Sequence, residues 1–277
     1  MNGTALSGDL PMREAVPVKR RLKLRDLVTS MPVARVIGSR DIKVKYKQSA
    51  LGPLWLLLQP LGILAAITVA FSGVTDIDTA PVTYIAFGLV GVAVWMFIAM
   101  TIAIAPQAFL ANASLVRRSP APRPAFITAT VYSNLPLLGI MVAVTLIATL
   151  LLEGLPVQVV VLPVLALWLL LFTWAIVAVI APVAARFRDA VAVVPLIIQG
   201  GIFLSPVGYP LDAAPSTIKA ALSLNPVTGL IEAWRWAILD MSPDLAVIAI
   251  AVAWTVALIV FGWYQFGRLE VRLADFL

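Results

Sequence analysis

Long stretches of this chain carry no charged side chain, and each approaches the length a helix needs to cross a lipid bilayer. A hydrocarbon core of ~30 Å asks for roughly 20 residues at 1.5 Å per residue. Runs of that order fall near Leu51–Phe71, Pro81–Leu110, Ala125–Leu152, Pro156–Ala184, Val191–Val207 and Leu245–Gln265. They are continuously apolar and do not alternate at period two, so they predict helices and not barrel strands. With 61% hydrophobic and 12% charged residues, the chain lacks the polar surface of a soluble domain. The expected fold is all-α integral membrane, with six transmembrane helices per subunit.

The basic residues fix the expected orientation, because cytoplasmic loops retain Lys and Arg. They cluster before the first run, between runs two and three (Arg117, Arg118, Arg123), between four and five (Arg186, Arg188), and after the sixth (Arg268, Arg272). The opposite loops hold Lys219 and Arg235 among Asp76, Asp78, Glu153, Asp212, Glu232, Asp240 and Asp244. Six spans with both termini cytoplasmic satisfy this pattern. The net charge of +6 sits mostly in the basic segments and suits anionic lipid headgroups. A nucleic-acid partner is not expected, because the basic tail is attached to a membrane domain.

The segment ahead of the first run has no compact apolar core and does not read as a cleaved signal peptide. Residues 1–21 read as a disordered cytoplasmic tail. Residues 22–50 form an amphipathic segment in which Leu22, Leu24, Leu27, Val28, Val33, Val36 and Ile37 interleave with cations. Thr29 or Ser30 is the expected helix cap, with Pro32 in the first turn. This segment is either an interfacial helix with its cations at the phosphate level or a topology anchor alone. Residues 51–268 form the six-helix transmembrane domain, and 269–277 a cytoplasmic C-terminus.

Several chemistries are disfavoured. The chain contains no Cys and no His, which removes the commonest metal ligands and general base. The run interiors hold polar neutral groups such as Gln59, Gln107, Ser133, Asn134, Thr173 and Gln199 and no charge, unlike a proton- or sodium-coupled carrier. The sequence has no phosphate-cradling Gly-x-x-x-x-Gly-Lys-Ser/Thr loop, and its acidic residues form no paired motif. No catalytic residue and no metal site are expected. Uphill transport would need its motor on another chain.

Three features admit both a functional and a structural reading. Trp55, Phe71, Tyr84, Phe87 and Trp95 either line a sugar path or serve as packing and interface belts. The cationic link 111–124 is either a docking element or a charged turn. The external segment 208–244 carries two stretches at helical spacing, Leu211–Leu224 and Pro226–Leu239, separated by Asn225-Pro226. These are expected to be short re-entrant gate helices between spans five and six, or helices lying flat on the outer surface.

Three blocks carry a family resemblance. Arg40-Asp41-Ile42-Lys43-Val44-Lys45-Tyr46-Lys47-Gln48-Ser49, running through Leu51-Gly52, Leu54-Trp55 and Leu58-Gln59-Pro60, resembles the start of the first span of polysaccharide ABC exporter permeases, the O-antigen and teichoic-acid type. Arg186-Phe187-Arg188-Asp189 with Pro195, Gln199 and Phe203-Leu204-Ser205-Pro206-Val207 resembles that family's fifth span. Leu224-Asn225-Pro226 through Trp234-Arg235 resembles its outer gate helices. The chain departs from the family at Ala121, where a bulky aromatic is common before Pro-Arg, and at the added Pro120.

The resemblance implies a homodimeric permease for a polyprenyl-diphosphate-linked glycan, working with two cytoplasmic ATP-binding subunits. ATP and Mg would bind those subunits, and this chain would hold no cofactor. It implies that Arg40, Lys43, Lys45 and Lys47 admit the substrate pyrophosphate, and that Leu115, Arg117, Arg118 and Arg123 couple to the ATPase. Trp55, Phe71, Tyr84, Phe87 and Trp95 would line the glycan path, and Asn225, Trp234 and Arg235 would belong to the outer gate. An ABC permease for drugs or small lipids, and a scaffold or flippase without ATP coupling, are the alternatives.

Overall fold

The computed structural model describes residues 24–47, 50–72, 79–118 and 121–269, and every regular element among them is helical. The expected tail at 1–21 and all but the first residue of the expected C-terminal segment lie outside the described residues. Twelve α-helices follow one another among the described residues: α1 (Leu24–Lys47), α2 (Trp55–Ser72), α3 (Tyr84–Ile104), α4 (Gln107–Leu110), α5 (Ala113–Arg118), α6 (Pro124–Tyr132), α7 (Leu135–Leu152), α8 (Leu162–Arg186), α9 (Ala190–Gly201), α10 (Ser216–Ser223), α11 (Pro226–Leu239) and α12 (Leu245–Leu269).

Among the described residues, five stretches are long and apolar enough to cross a membrane: Gly52–Val69, Tyr84–Ile104, Pro124–Leu152, Val157–Arg186 and Leu245–Phe266. The chain is therefore a multi-pass membrane protein. The run expected as a fifth span is different. Helix α9 has 12 residues, about 18 Å of rise, and the chain then leaves the helix at Ile202.

Helix α3 is apolar on every side and is buried along most of its length, as expected of a helix at the centre of a bundle. Helices α2, α7, α8, α9 and α11 pack around it. Helix α11 packs against α3, α8 and α12, and nearly all of it is buried, so it does not lie flat on the outer surface. A β-carbon at Gly229 would fall 2.5 Å from the Val247 carbonyl oxygen, which shows how closely α11 approaches α12. Helix α10 is largely exposed, and its contacts are with α11 and the short 3-10 turn before it.

Helix α1 starts ahead of the expected cap and runs unbroken through Pro32. The Thr29 hydroxyl donates to the Arg25 and Asp26 carbonyls, and the Ser30 hydroxyl to Leu27, so both bond back into the helix. That face packs on α6, with Ser30, Ala34, Ile37 and Gly38 buried. The third span is divided. It breaks at Ser133-Asn134 between α6 and α7, where Pro136 has no N–H to offer the preceding turn.

Candidate functional site

The four expected cations of α1 point in two directions. Arg40 donates to Asp41 Oδ1 at 2.8 Å and reaches across to Asn112 Oδ1, also at 2.8 Å, tying α1 to the turn between α4 and α5. Lys43 and Lys47 line an open recess of about 590 Å³ along α1, together with Arg35, Val36, Ser39, Arg40 and Val44. Lys45 turns inward. Its ammonium donates to Asn134 Oδ1 at 3.0 Å, at the break between α6 and α7.

Lys45 also lines a cavity of about 190 Å³ with Trp55, Leu56, Gln59, Met100 and Leu137. Helices α1, α2, α3 and α7 thus meet around one ammonium group. Desolvation pushes the Lys45 ammonium below the ordinary lysine value, because the apolar walls disfavour the charged form. An anionic oxygen in this cavity would offset that cost more than water does. In the sequence Asn134 is one of several polar neutral residues in a span, and Asn112 is an ordinary residue of the cationic link. Neither position carried a signal that it receives a cation from α1.

The link between α4 and α6 presents Leu115 and Arg117 outward on α5. Arg123 is folded back, its guanidinium donating to the Val116 carbonyl and closing the turn between α5 and α6. Arg118 lies at the end of α5, with its side chain outside the described residues. A second recess, about 240 Å³, opens between this link and the start of α9, lined by Leu110, Ala113, Arg188 and Val191.

The five aromatic residues do not share one surface. Trp55 is 45% exposed at the start of α2, and Tyr84 is half-buried at the start of α3. Phe87 and Trp95 are buried: Arg235 stacks on Phe87, and Trp95 packs against Gly201 of α9. The side chain of Phe71 lies outside the described residues. Phe87 and Trp95 are thus packed inside the chain.

At the other end, the chain between Phe203 and Tyr209 forms a turn in which Ser205–Gly208 are buried. Buried carbonyls need donors, and here side chains supply them. Asn225, the N-cap of α11, donates to the Leu204 carbonyl at 2.7 Å and to Ser205 Oγ at 3.0 Å. Arg235 Nη2 donates to the Val207 carbonyl at 2.9 Å, the Tyr84 hydroxyl to Gly208 at 2.8 Å, and the Tyr209 hydroxyl to Phe203 at 3.0 Å. Gly91 of α3 lies against Val207, and a β-carbon there would fall on the Val207 carbonyl.

Arg235 is 1% exposed, with its Cζ 3.5 Å from the Phe87 ring centroid and Nη1 3.3 Å from Glu232 Oε1. Its Nε and the indole N–H of Trp234 have no hydrogen-bond partner. Asn225 and Arg235 thus meet at one turn, while Trp234 packs into the bundle. The clamp was invisible in sequence because its donors and acceptors lie between 6 and 124 positions apart.

The family model of the ABC-2 type transporter matches residues 33–239. That span includes most of α1, the link between α4 and α6, the clamped turn and α11. The chain is similar to the O-antigen export system permease protein RfbA of Klebsiella pneumoniae, 26% identical over 263 residues, covering 87% of this chain and 93% of the relative. A second Klebsiella pneumoniae RfbA is 26% identical over 248 residues, and that of Myxococcus xanthus is 25% identical over 221 residues, covering 77% of this chain and 84% of the relative. With the family model spanning well over half its length, this chain belongs to the ABC-2 type transporter membrane family.

Proposed function

We propose that this chain is the membrane-spanning half of an ATP-driven exporter of a polyprenyl-diphosphate-linked cell-envelope polysaccharide. The similarity to O-antigen export permeases across 87% of the chain is the observation that carries this reading. The membrane is the bacterial cytoplasmic membrane, with both termini on the cytoplasmic side. Two copies form the path, and two cytoplasmic ATP-binding subunits, holding ATP and Mg, supply the work. The chain itself is a transport component and not an enzyme.

The site geometry supports separate tasks for the α1 cations. Lys43, Lys47 and Arg40 face outward, where they attract a diphosphate headgroup at the inner leaflet. Lys45 receives the phosphate at the cavity beside Trp55 and Gln59. Trp55 and Tyr84 offer ring faces to passing sugars, since stacking is tolerant of sliding. Leu115 and Arg117 present the coupling surface to the ATPase, and Arg123 holds its shape. Helix α9 and the clamped turn, continued by α10 and α11, complete a sixth crossing with α11 as part of the outer gate.

The test is ATP hydrolysis by this chain purified with its ATP-binding subunit in lipid nanodiscs, with and without a polyprenyl-diphosphate glycan. Hydrolysis that responds to the glycan lipid is the expected result. A stable complex whose turnover responds equally to a simple phospholipid or a drug would refute the glycan assignment, and failure of any ATPase to associate would refute the exporter assignment.

A further inference from the structure

Helix α9 stops 12 residues after it starts, and the backbone that follows is held by side-chain hydrogen bonds as well as by the packing of Val207 in the core. Two of its side chains, Phe203 and Leu204, are 74% and 65% exposed, while the four residues after them are buried. Donors from α3 and α11 reach into that buried part. The strongest is Arg235, which is fully buried: a carboxylate at 3.3 Å and a ring face offset part of its desolvation, while its Nε has no partner. Because desolvation competes with these attractions, a buried ion pair of this kind adds little net stability to the arrangement it holds.

We propose that Arg235 is the positioning residue of a releasable latch: through the Val207 carbonyl it holds the turn Phe203–Gly208 in a closed arrangement, and release of that bond frees the turn. Tyr84 and Asn225 are the auxiliary bonds at either side. Gly91 is the complementary feature, because the absence of a side chain on α3 is what lets Val207 approach. Pull from Arg235 and space at Gly91 therefore fix the same carbonyl from two elements. Phe203 and Leu204 ride on the turn, so its release relocates two large apolar side chains at the end of α9. The latch concerns this chain's own geometry and is independent of the cargo proposed above.

The chain has no cysteine, which makes a single introduced thiol a clean reporter. Val207→Cys places it at a position 1% exposed in the closed turn, and a water-soluble maleimide reads its release in the full chain in lipid nanodiscs. Modification is expected to be slow in the otherwise unchanged chain. It should rise at least about tenfold with Arg235→Met, which keeps the packing on Phe87 and removes the donors. Arg235→Lys should fall between the two. Gly91→Ala should raise the rate with Arg235 intact, because the added methyl pushes on the same carbonyl.

A second reporter, Ala237→Cys in buried α11, separates a latch from general loosening. It is expected to stay unreactive in every variant, and a parallel rise at position 237 would overturn the proposal. So would a slow rate at position 207 in both Arg235→Met and Gly91→Ala. Where either change prevents folding, Arg235→Lys decides, since it keeps a charge beside Glu232 but loses the guanidinium that reaches Val207: faster modification than in the unchanged chain supports the latch and an unchanged rate overturns it. None of these readings needs a glycan, so failure here leaves the exporter assignment standing.

Discussion

Lys43 and Lys45 stand two positions apart on one helix and meet different physics. Both residues are exposed, but Lys43 borders an open recess, where a charge is screened by water and salt, whereas the Lys45 ammonium donates to Asn134 beside an apolar cavity. Lys45→Gln is accordingly expected to lower glycan export on the order of tenfold, and Lys43→Gln to have a smaller effect that fades as ionic strength rises. Export measured at two salt concentrations checks both, and equal losses for the two variants would refute the division. At the opposite end, the Glu153 carboxylate accepts the Thr83 backbone N–H at 2.8 Å, which holds its carboxyl below the usual carboxylate range. A lowered folded pKa means that the stabilisation is complete above the unfolded value of about 4.3 and is lost as pH falls through the folded value. Unfolding followed from pH 7 downward should show an acid-dependent component that Glu153→Gln removes.

Among the elements, the contact of α1 with α6 is a close one. A β-carbon at Gly38 would lie 2.6 Å from Tyr132 Cδ1 and 3.1 Å from the Ala129 carbonyl oxygen, so neither backbone nor ring has room to yield fully. Gly38→Ala should destabilise the chain by ~1–3 kcal/mol, visible as a lower thermal midpoint in detergent, and should also pull Lys45 away from Asn134. How far such elements are legible in a sequence depends on where their partners lie. Helices α2, α3, α8 and α12 are apolar through their interiors, so periodicity and length announced them. The break in the third span was hidden, since Ser133 and Asn134 sit within an apolar run and look like two buried polar residues. The shortness of α9 was hidden for a related reason. Phe203, Leu204 and Val207 continue the apolar run past Gly201, and composition does not distinguish a helix from a turn whose carbonyls are satisfied by Tyr84, Asn225 and Arg235. Of the candidate site, the cationic side of α1 and the outward residues of α5 were legible; the inward turn of Lys45 and the burial of Phe87 and Trp95 were not.

For the whole molecule, the count of crossings decides where the ends lie. Among the described residues five helical stretches are long enough to reach across, and α9 with its turn is too short to do so as a single helix. The proposed sixth crossing, completed by the turn and α11, puts both termini on one face, whereas five crossings would put them on opposite faces. Thiols introduced singly near each terminus and challenged with an impermeant reagent in sealed vesicles should react from the same side. The five stretches share another property. Among the residues from Gly52 to Val69, Tyr84 to Ile104, Pro124 to Leu152, Val157 to Arg186 and Leu245 to Phe266, the one charged side chain is Arg186 at the last position of its span. A transmembrane voltage does about 2.3 kcal/mol of work per 100 mV on each elementary charge carried fully across the bilayer. These helices bring almost no such charge with them when they shift. A membrane potential therefore has little hold on their rearrangement, and electrical work enters the cycle chiefly through the charge of whatever is carried.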